Sequence, residues 1–242
     1  MEKRDGMSIV STQKKGVYFS CGPEGLTGIC ISNLNCNFPV SISANREVFS
    51  PYVLVPHNFS KMIRARKEAG QIVVGGSGQP LIVRRDAMDM LSEEIFVKFP
   101  EGTNIDTLTL KKVSADVIDN GCFSHLVLDL DGGSYEGEFM LLSLDCVARG
   151  GKVKMFALEG EVKRIIASGD AEISIRSIAA PILHVEVSGN ATVKIPYYHG
   201  VLDRAEGLVR NLTVIATENG TAVIAGKEYS KEAPEGRTLM QS

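Results

Sequence analysis

Apolar and polar residues alternate along most of this chain, and in its second half the alternation recurs with a longer period. A small residue stands two places before a β-branched or aromatic one at Val117, Tyr135, Val153, Ile173 and Val193, in steps of 18, 18, 20 and 20 residues. The clearest pair is Ala167-Ser168-Gly169-Asp170-Ala171-Glu172-Ile173-Ser174-Ile175 against Val187-Ser188-Gly189-Asn190-Ala191-Thr192-Val193-Lys194-Ile195. A repeat of about 20 residues, with a Gly-Asp or Gly-Asn turn and alternation on both sides, predicts stacked β-coils. One coil cannot bury its own apolar face, so neighbours must stack to make a core. The five positions are then expected to point inward, in parallel register, about 4.8 Å apart.

The same alternation predicts strands before the repeat. They are Gly16-Val17-Tyr18-Phe19-Ser20, Gly28-Ile29-Cys30-Ile31-Ser32, 38–43, 52–56, Gln71-Ile72-Val73-Val74, 81–85 and 94–100. Residues 58–69 have helical character, with Asn58 or Ser60 as the cap, Met62, Ile63 and Ala65 as a partial apolar face and Gly70 as the stop. Residues 75–80 read as a loop, and 86–92 as a turn or a helical turn. The strands upstream of each repeat position are expected at 105–110, 126–130, 141–144, 164–167 and 183–187. A displaced further coil follows: Leu212-Thr213-Val214-Ile215-Ala216 resembles 183–187, and 219–225 resembles 190–195, with 196–210 between them as a loop or cap. The expected organisation is a flexible N-terminus (1–15), an N-terminal β-region continuous with the coils (16–102), coils over 103–226 and a polar, disordered tail (227–242).

Composition sharpens this picture. The 242 residues include 24 Gly and no Trp, and 44% are hydrophobic, which suits a tightly wound interior of Val, Ile, Leu and Ala. The net charge of −3 predicts no general attraction to nucleic acid or to an anionic membrane. No run approaches about 18 apolar residues, so no membrane span is expected. Met1-Glu2-Lys3-Arg4-Asp5-Gly6-Met7 precedes no apolar export segment, which by itself predicts a cytoplasmic protein. Five cysteines (Cys21, Cys30, Cys36, Cys122 and Cys146) form no C-x-x-C pair. They read as buried thiols, with a Cys30–Cys36 bridge open if two strands bring them together. Sequons at Asn58, Asn190, Asn211 and Asn219 matter only in a eukaryotic secretory protein.

Three segments resemble the head GIN domain of auto-transporter adhesins, a family of bacterial β-solenoid proteins. Leu34-Asn35-Cys36-Asn37-Phe38-Pro39-Val40-Ser41-Ile42 resembles the family's opening strand pair. Ile95-Phe96-Val97-Lys98-Phe99-Pro100-Glu101-Gly102-Thr103-Asn104-Ile105 resembles its Pro-terminated strand and first coil. Ser168-Gly169-Asp170-Ala171 and Ser188-Gly189-Asn190-Ala191 resemble its Ser-Gly-Asp turns, with Gly132-Gly133 and Gly150-Gly151 standing in for that motif elsewhere. The resemblance covers residues 26–226 and implies a β-solenoid at the cell surface or secreted. It implies no residue-level activity.

Candidate chemistry is sparse. Asp116, Asp119, Asp129, Asp131, Asp145 and Asp170 lie in the repeats, where stacked carboxylates could hold Ca²⁺ or supply an acid/base pair for polysaccharide cleavage. Leu128-Asp129-Leu130-Asp131 equally reads as a strand with its acids in water. Lys111, Lys112, Arg149, Lys152, Lys154, Lys163 and Arg164 show no sharper pattern than a solvated face. His57, His125, His184 and His199 lack ligand spacing, no G-x-S-x-G occurs, and Gly75-Gly76-Ser77-Gly78 lacks the Lys-Ser/Thr ending of a phosphate loop. Pro196-Tyr197-Tyr198-His199 is the one dense aromatic group, either a ligand platform or an end cap.

The resulting expectation is an all-β protein, a right-handed parallel β-helix or solenoid with an N-terminal β-strand region. Its role is a non-catalytic structural or adhesin-like module, with no catalytic, cofactor-binding or metal residues and no cofactor. It presents a rigid flank to a protein or glycan, as a monomer or small homo-oligomer. The rival readings are a polysaccharide-acting β-helix enzyme and a self-assembling bacterial scaffold.

Overall fold

The computed structural model describes residues 3–4, 7–13, 16–82, 93–103, 105–121, 123–203, 207–209 and 211–231. They are all-β: strands and turns, with a single 3-10 turn at His57–Phe59. The chain divides into two compact units, Met1–Cys122 and Phe123–Ser242.

In the first unit, Gly28–Ser32 lies parallel between Gln71–Gly75 and Thr107–Asn120, with Ile29 opposite both Ile72 and Leu108. Val40–Asn45 lies parallel between Ile95–Pro100 and the far end of the same long strand, with Val40 opposite both Ile95 and Val117. The chain segment 28–45 therefore sits between two later segments. Ile29, Ile31, Val40, Ile42, Ile72, Val74, Ile95, Val97 and Leu108 are all fully buried, each set spaced by two, as a pleat requires. Antiparallel strands join them: Tyr52–Val55 pairs with both Gly16–Ser20 and Ile95–Pro100.

Three expectations change in this unit. The polar N-terminal stretch is not simply a loose end, because Met7–Gln13 pairs antiparallel with Gly16–Ser20, and Lys3–Arg4 with Met7–Gln13. The helix expected over 58–69 is instead the 3-10 turn followed by the strand Arg64–Glu68, which forms a hairpin with Gln71–Gly75. Ala69 and Gly70 both have positive φ, 46° and 79°, the backbone of a two-residue hairpin turn. Ile63 and Ala65 are buried while Met62 is exposed, so the apolar period is two and not 3.6. Third, Leu81 makes only an isolated bridge to Cys36, so the strand expected at 81–85 is not seen in its described part. The ambiguous 86–92 stretch lies outside the described residues.

The second unit is built from three parallel stacks. In the first, Tyr135 lies opposite Val153, Val153 opposite Ile173, Ile173 opposite Val193, and Val193 opposite Ala222. The four anticipated positions here therefore stack in the anticipated register, and all of them are buried. In the second, Leu141 lies opposite Leu158, Leu158 opposite Ile178, and Ile178 opposite Tyr198. In the third, Cys146 lies opposite Ile165, Ile165 opposite Val185, and Val185 opposite Val214. The displaced coil also falls in the anticipated register, with Leu183–Leu212 and Ile195–Ile224 as opposed pairs.

Two details differ. The strand upstream of Val153 was expected at 141–144, yet Cys146 and Ala148 are the residues opposite Ile165 and Ala167. Register shifts between Gly137 and Asp145 absorb the offset, which a count from sequence cannot see. The tail was expected from 227, but Lys227–Ser230 pairs antiparallel with Thr221–Ile224 and buries Tyr229. The intervening insertion is a hairpin, Val201–Asp203 with Gly207–Val209.

Turns stack as tightly as strands. Gly189 has φ 68°, and a Cβ there would come 2.8 Å from the Gly169 nitrogen in the turn below. Only glycine fits both demands. Gly189→Ala is expected to lower stability by roughly 1–3 kcal/mol. Val153→Asp, which buries a charge between Tyr135 and Ile173, is expected to cost roughly 3–5 kcal/mol. Urea unfolding followed by circular dichroism measures both, and near-neutral values would contradict this packing.

Candidate functional site

Alternation sends every second side chain of each stack outward, and the three outer faces of the second unit differ in chemistry. The third stack carries charges. Arg149 hydrogen-bonds to Asp129 and, at 3.1 Å, to Asp131; Arg164 Nε donates to Asp145 Oδ1 at 2.7 Å; His184 Nε2 lies 2.8 Å from Glu186 Oε1. These hydrogen bonds hold the guanidinium groups of Arg149 and Arg164 above the usual arginine range. The first stack carries Lys154 with Glu136 and Lys152 with Glu172 at 3.0 Å. Ion pairs this exposed are screened by solvent and salt and add little to stability. At the turns, Asn219 donates to Asn190 and Asn190 to Asp170, both at 3.1 Å.

Of the repeat acids singled out from sequence, Asp129, Asp131 and Asp145 are therefore brought together with arginines, and Asp170 joins an amide ladder. In the first unit Asp119 is buried and accepts the Gly121 N–H at 2.7 Å, a turn-closing role. Among the described residues no group of three or more His, Cys, Asp or Glu side chains is placed to hold a metal ion. The Gly75–Gly78 loop has its amides committed: Gly76 N–H donates to Ser32 and Gly78 N–H to Asn33. His125 Nδ1 lies 2.8 Å from Ser143 Oγ in an exposed pair, a contact 18 residues apart that the residue spacing did not suggest.

The second stack is different. Met140, Leu142, Phe156 and Tyr197 project outward with 56%, 52%, 47% and 55% of their surface exposed. Met140 lies opposite Ala157, Ala157 opposite Ser177, and Ser177 opposite Tyr197, so small residues separate large ones along one row. The Arg176 guanidinium sits 5.1 Å from the Phe156 ring centroid. The Tyr197 and His199 rings are 6.5 Å apart and 7° from parallel. The aromatic group 196–199 thus splits: Tyr198 is buried and donates its hydroxyl to Asn211 O at 3.0 Å, while Tyr197 and His199 face out. Met140, Leu142 and Phe156 were missed by sequence reasoning. The available signal was Phe156 standing in the polar phase of its strand, in line with Lys152 and Lys154 and next to inward Met155.

The first unit holds a cleft of about 810 Å³, lined by Asn45, Arg46, Glu47, Phe99, Glu101 and Asn120 among others. It is polar, and Arg46 is engaged by Glu101 through two nitrogens.

No family model matches the chain, and no curated protein matches it. A solved structure from Clostridium sporogenes, described as a "putative cell adhesion protein", is similar at 14% identity over 73% of this chain and 76% of that one, with a TM-score of 0.31. No helix among the described residues is long and apolar enough to cross a membrane.

The described cysteines, Cys21, Cys30, Cys36 and Cys146, are free and buried, so the Cys30–Cys36 bridge left open by spacing is not formed. Burial pushes the Cys36 thiol up to about 11, and burial with the Asp145 charge nearby pushes Cys146 up to about 12, from an ordinary 9.0. A raised acid pKa means the native state keeps a proton that the unfolded state releases. Its stabilisation is complete below pH 9 and declines as pH rises toward 12. Cys146→Ala should therefore flatten the alkaline fall of the unfolding midpoint; an unchanged slope would contradict the buried neutral thiol.

Proposed function

We propose that this protein is a non-catalytic, adhesin-like binding module whose second unit is a right-handed β-solenoid. The outward side chains of Met140, Leu142, Phe156 and Tyr197 are its contact surface for a glycan or a protein. The observation that carries the reading is this cluster, since Met140, Leu142, Phe156 and Tyr197 all stand in water on the second stack, whereas the third stack exposes Ile182 and Ile215 beside ion pairs. Aromatic and Met side chains with an Arg among them are the composition of interaction surfaces. Rigid stacked coils hold such a row without ordering cost on binding. Right-handed winding follows the rule for parallel crossovers. The resemblance of the turns at 168–171 and 188–191 to the head GIN domain supports the same class. The carboxylates that a polysaccharide-cleaving rival would use are hydrogen-bonded to arginines.

The test is an array of glycans and extracellular-matrix proteins probed with the labelled full-length chain. Retention of a ligand without cleavage is expected, and Phe156→Ser with Tyr197→Ser should weaken it about tenfold or more, the size of losing two contact residues. Release of reducing sugar, or binding unchanged in the double variant, would overturn the reading.

A further inference from the structure

We propose that the open edge of the strand Asn211–Ala216 is a strand-addition site for an extended, uncharged peptide segment of a partner protein. Asn211 N–H donates to Pro181 O at 2.8 Å and Thr217 N–H to Val187 O at 2.9 Å. In a parallel ladder this commits the backbone groups of odd-numbered residues to the neighbouring Ile182–Val187. The N–H and C=O groups of Leu212, Val214 and Ala216 then point the other way, and no other described strand pairs with them.

The other ends of the stacks at this level are blunted. Thr221–Ile224 is covered by Lys227–Ser230, and Tyr197–His199 is only three residues long and follows Pro196. Asn211-Leu212-Thr213-Val214-Ile215-Ala216 has none of the usual protections of an edge: no charge, proline, glycine or bulge. Its central residues Thr213, Val214 and Ile215 are strong strand formers.

The chemistry of the edge selects its occupant. Only an extended polypeptide offers alternating N–H and C=O groups at matching spacing, so a glycan or a compact apolar ligand is excluded. Leu212 and Val214 are buried on one face, and on the other Asn211 lies opposite the exposed Ile182, Thr213 opposite His184 and Ile215 opposite Glu186. Asn211–Ala216 itself carries no charge, so a charged side chain on the buried face of an incoming strand would be desolvated without compensation. A second copy pairing through the same edge is the competing occupant, and a concentration-dependent dimer whose even-numbered Leu212, Val214 and Ala216 amides are protected without peptide would overturn the proposal. The edge lies at the end of a stack and not on the aromatic row, so either proposal can fail alone.

Amide hydrogen exchange on the full-length protein tests this, with an acetylated, amidated peptide copy of Asn211–Ala216 carrying a lysine tail as the probe. In the free protein, Leu212, Val214 and Ala216 amides should exchange about 100-fold faster than those of Thr213 and Ile215. Saturating peptide should slow the fast set about tenfold and leave the slow set unchanged. The same peptide N-methylated at alternate amides should not bind. Ala216→Pro removes only an outward N–H, so it should weaken peptide binding about fivefold while Thr213 stays protected. Protection of the even-numbered amides without peptide, no protection with it, or equal binding of the N-methylated peptide would each overturn the proposal.

Discussion

Everything in the second unit depends on one constraint: no strand here can bury its own apolar side chains without parallel neighbours on both sides. Val153 is covered because Tyr135 lies on one side and Ile173 on the other. The parallel backbone ladder fixes that spacing, and it also forces like positions onto like positions. A core aliphatic is thus repeated through the stack, a turn glycine meets a turn glycine, and the Asn219 and Asn190 amides form a donor ladder that ends on the Asp170 carboxylate. The same rule makes surface chemistry collect in rows. A charged row arises on one face and an apolar row on another, without any long-range folding signal.

This explains which parts were legible from sequence. The repeat of small residue and β-branched or aromatic partner is a direct imprint of stacking, so the register of Tyr135, Val153, Ile173 and Val193 could be read, as could the later coil at Leu212 and Ala222. Local competition was harder to read. The stretch around Met62, Ile63 and Ala65 offers a helical face and a strand face of similar quality, and the positive-φ turn at Ala69-Gly70 decides for the hairpin. Between Gly137 and Asp145 the bulges change the register within one coil, and no periodic count anticipates them.

The candidate site was less legible than the fold. Tyr197 stood out because it lies in a dense aromatic run. Met140 and Leu142 lie on one strand and Phe156 on the next, and they share an outer face only once those strands pair. Conversely, Asp129, Asp131 and Asp145 looked conspicuous in sequence, yet their near neighbours in space are arginines 18 to 20 residues away, which gives them a structural partner.

Parallel in-register stacking of the second unit is the claim on which the flank, the edge and the turn ladders all rest. Interstrand proton contacts in a deuterated, amide-labelled sample test it most directly. The account predicts contacts linking the strand segments of Val153, Ile173 and Val193 in the same direction, residue for residue. Contacts running in opposite directions between consecutive strands, as in an antiparallel meander, would contradict it.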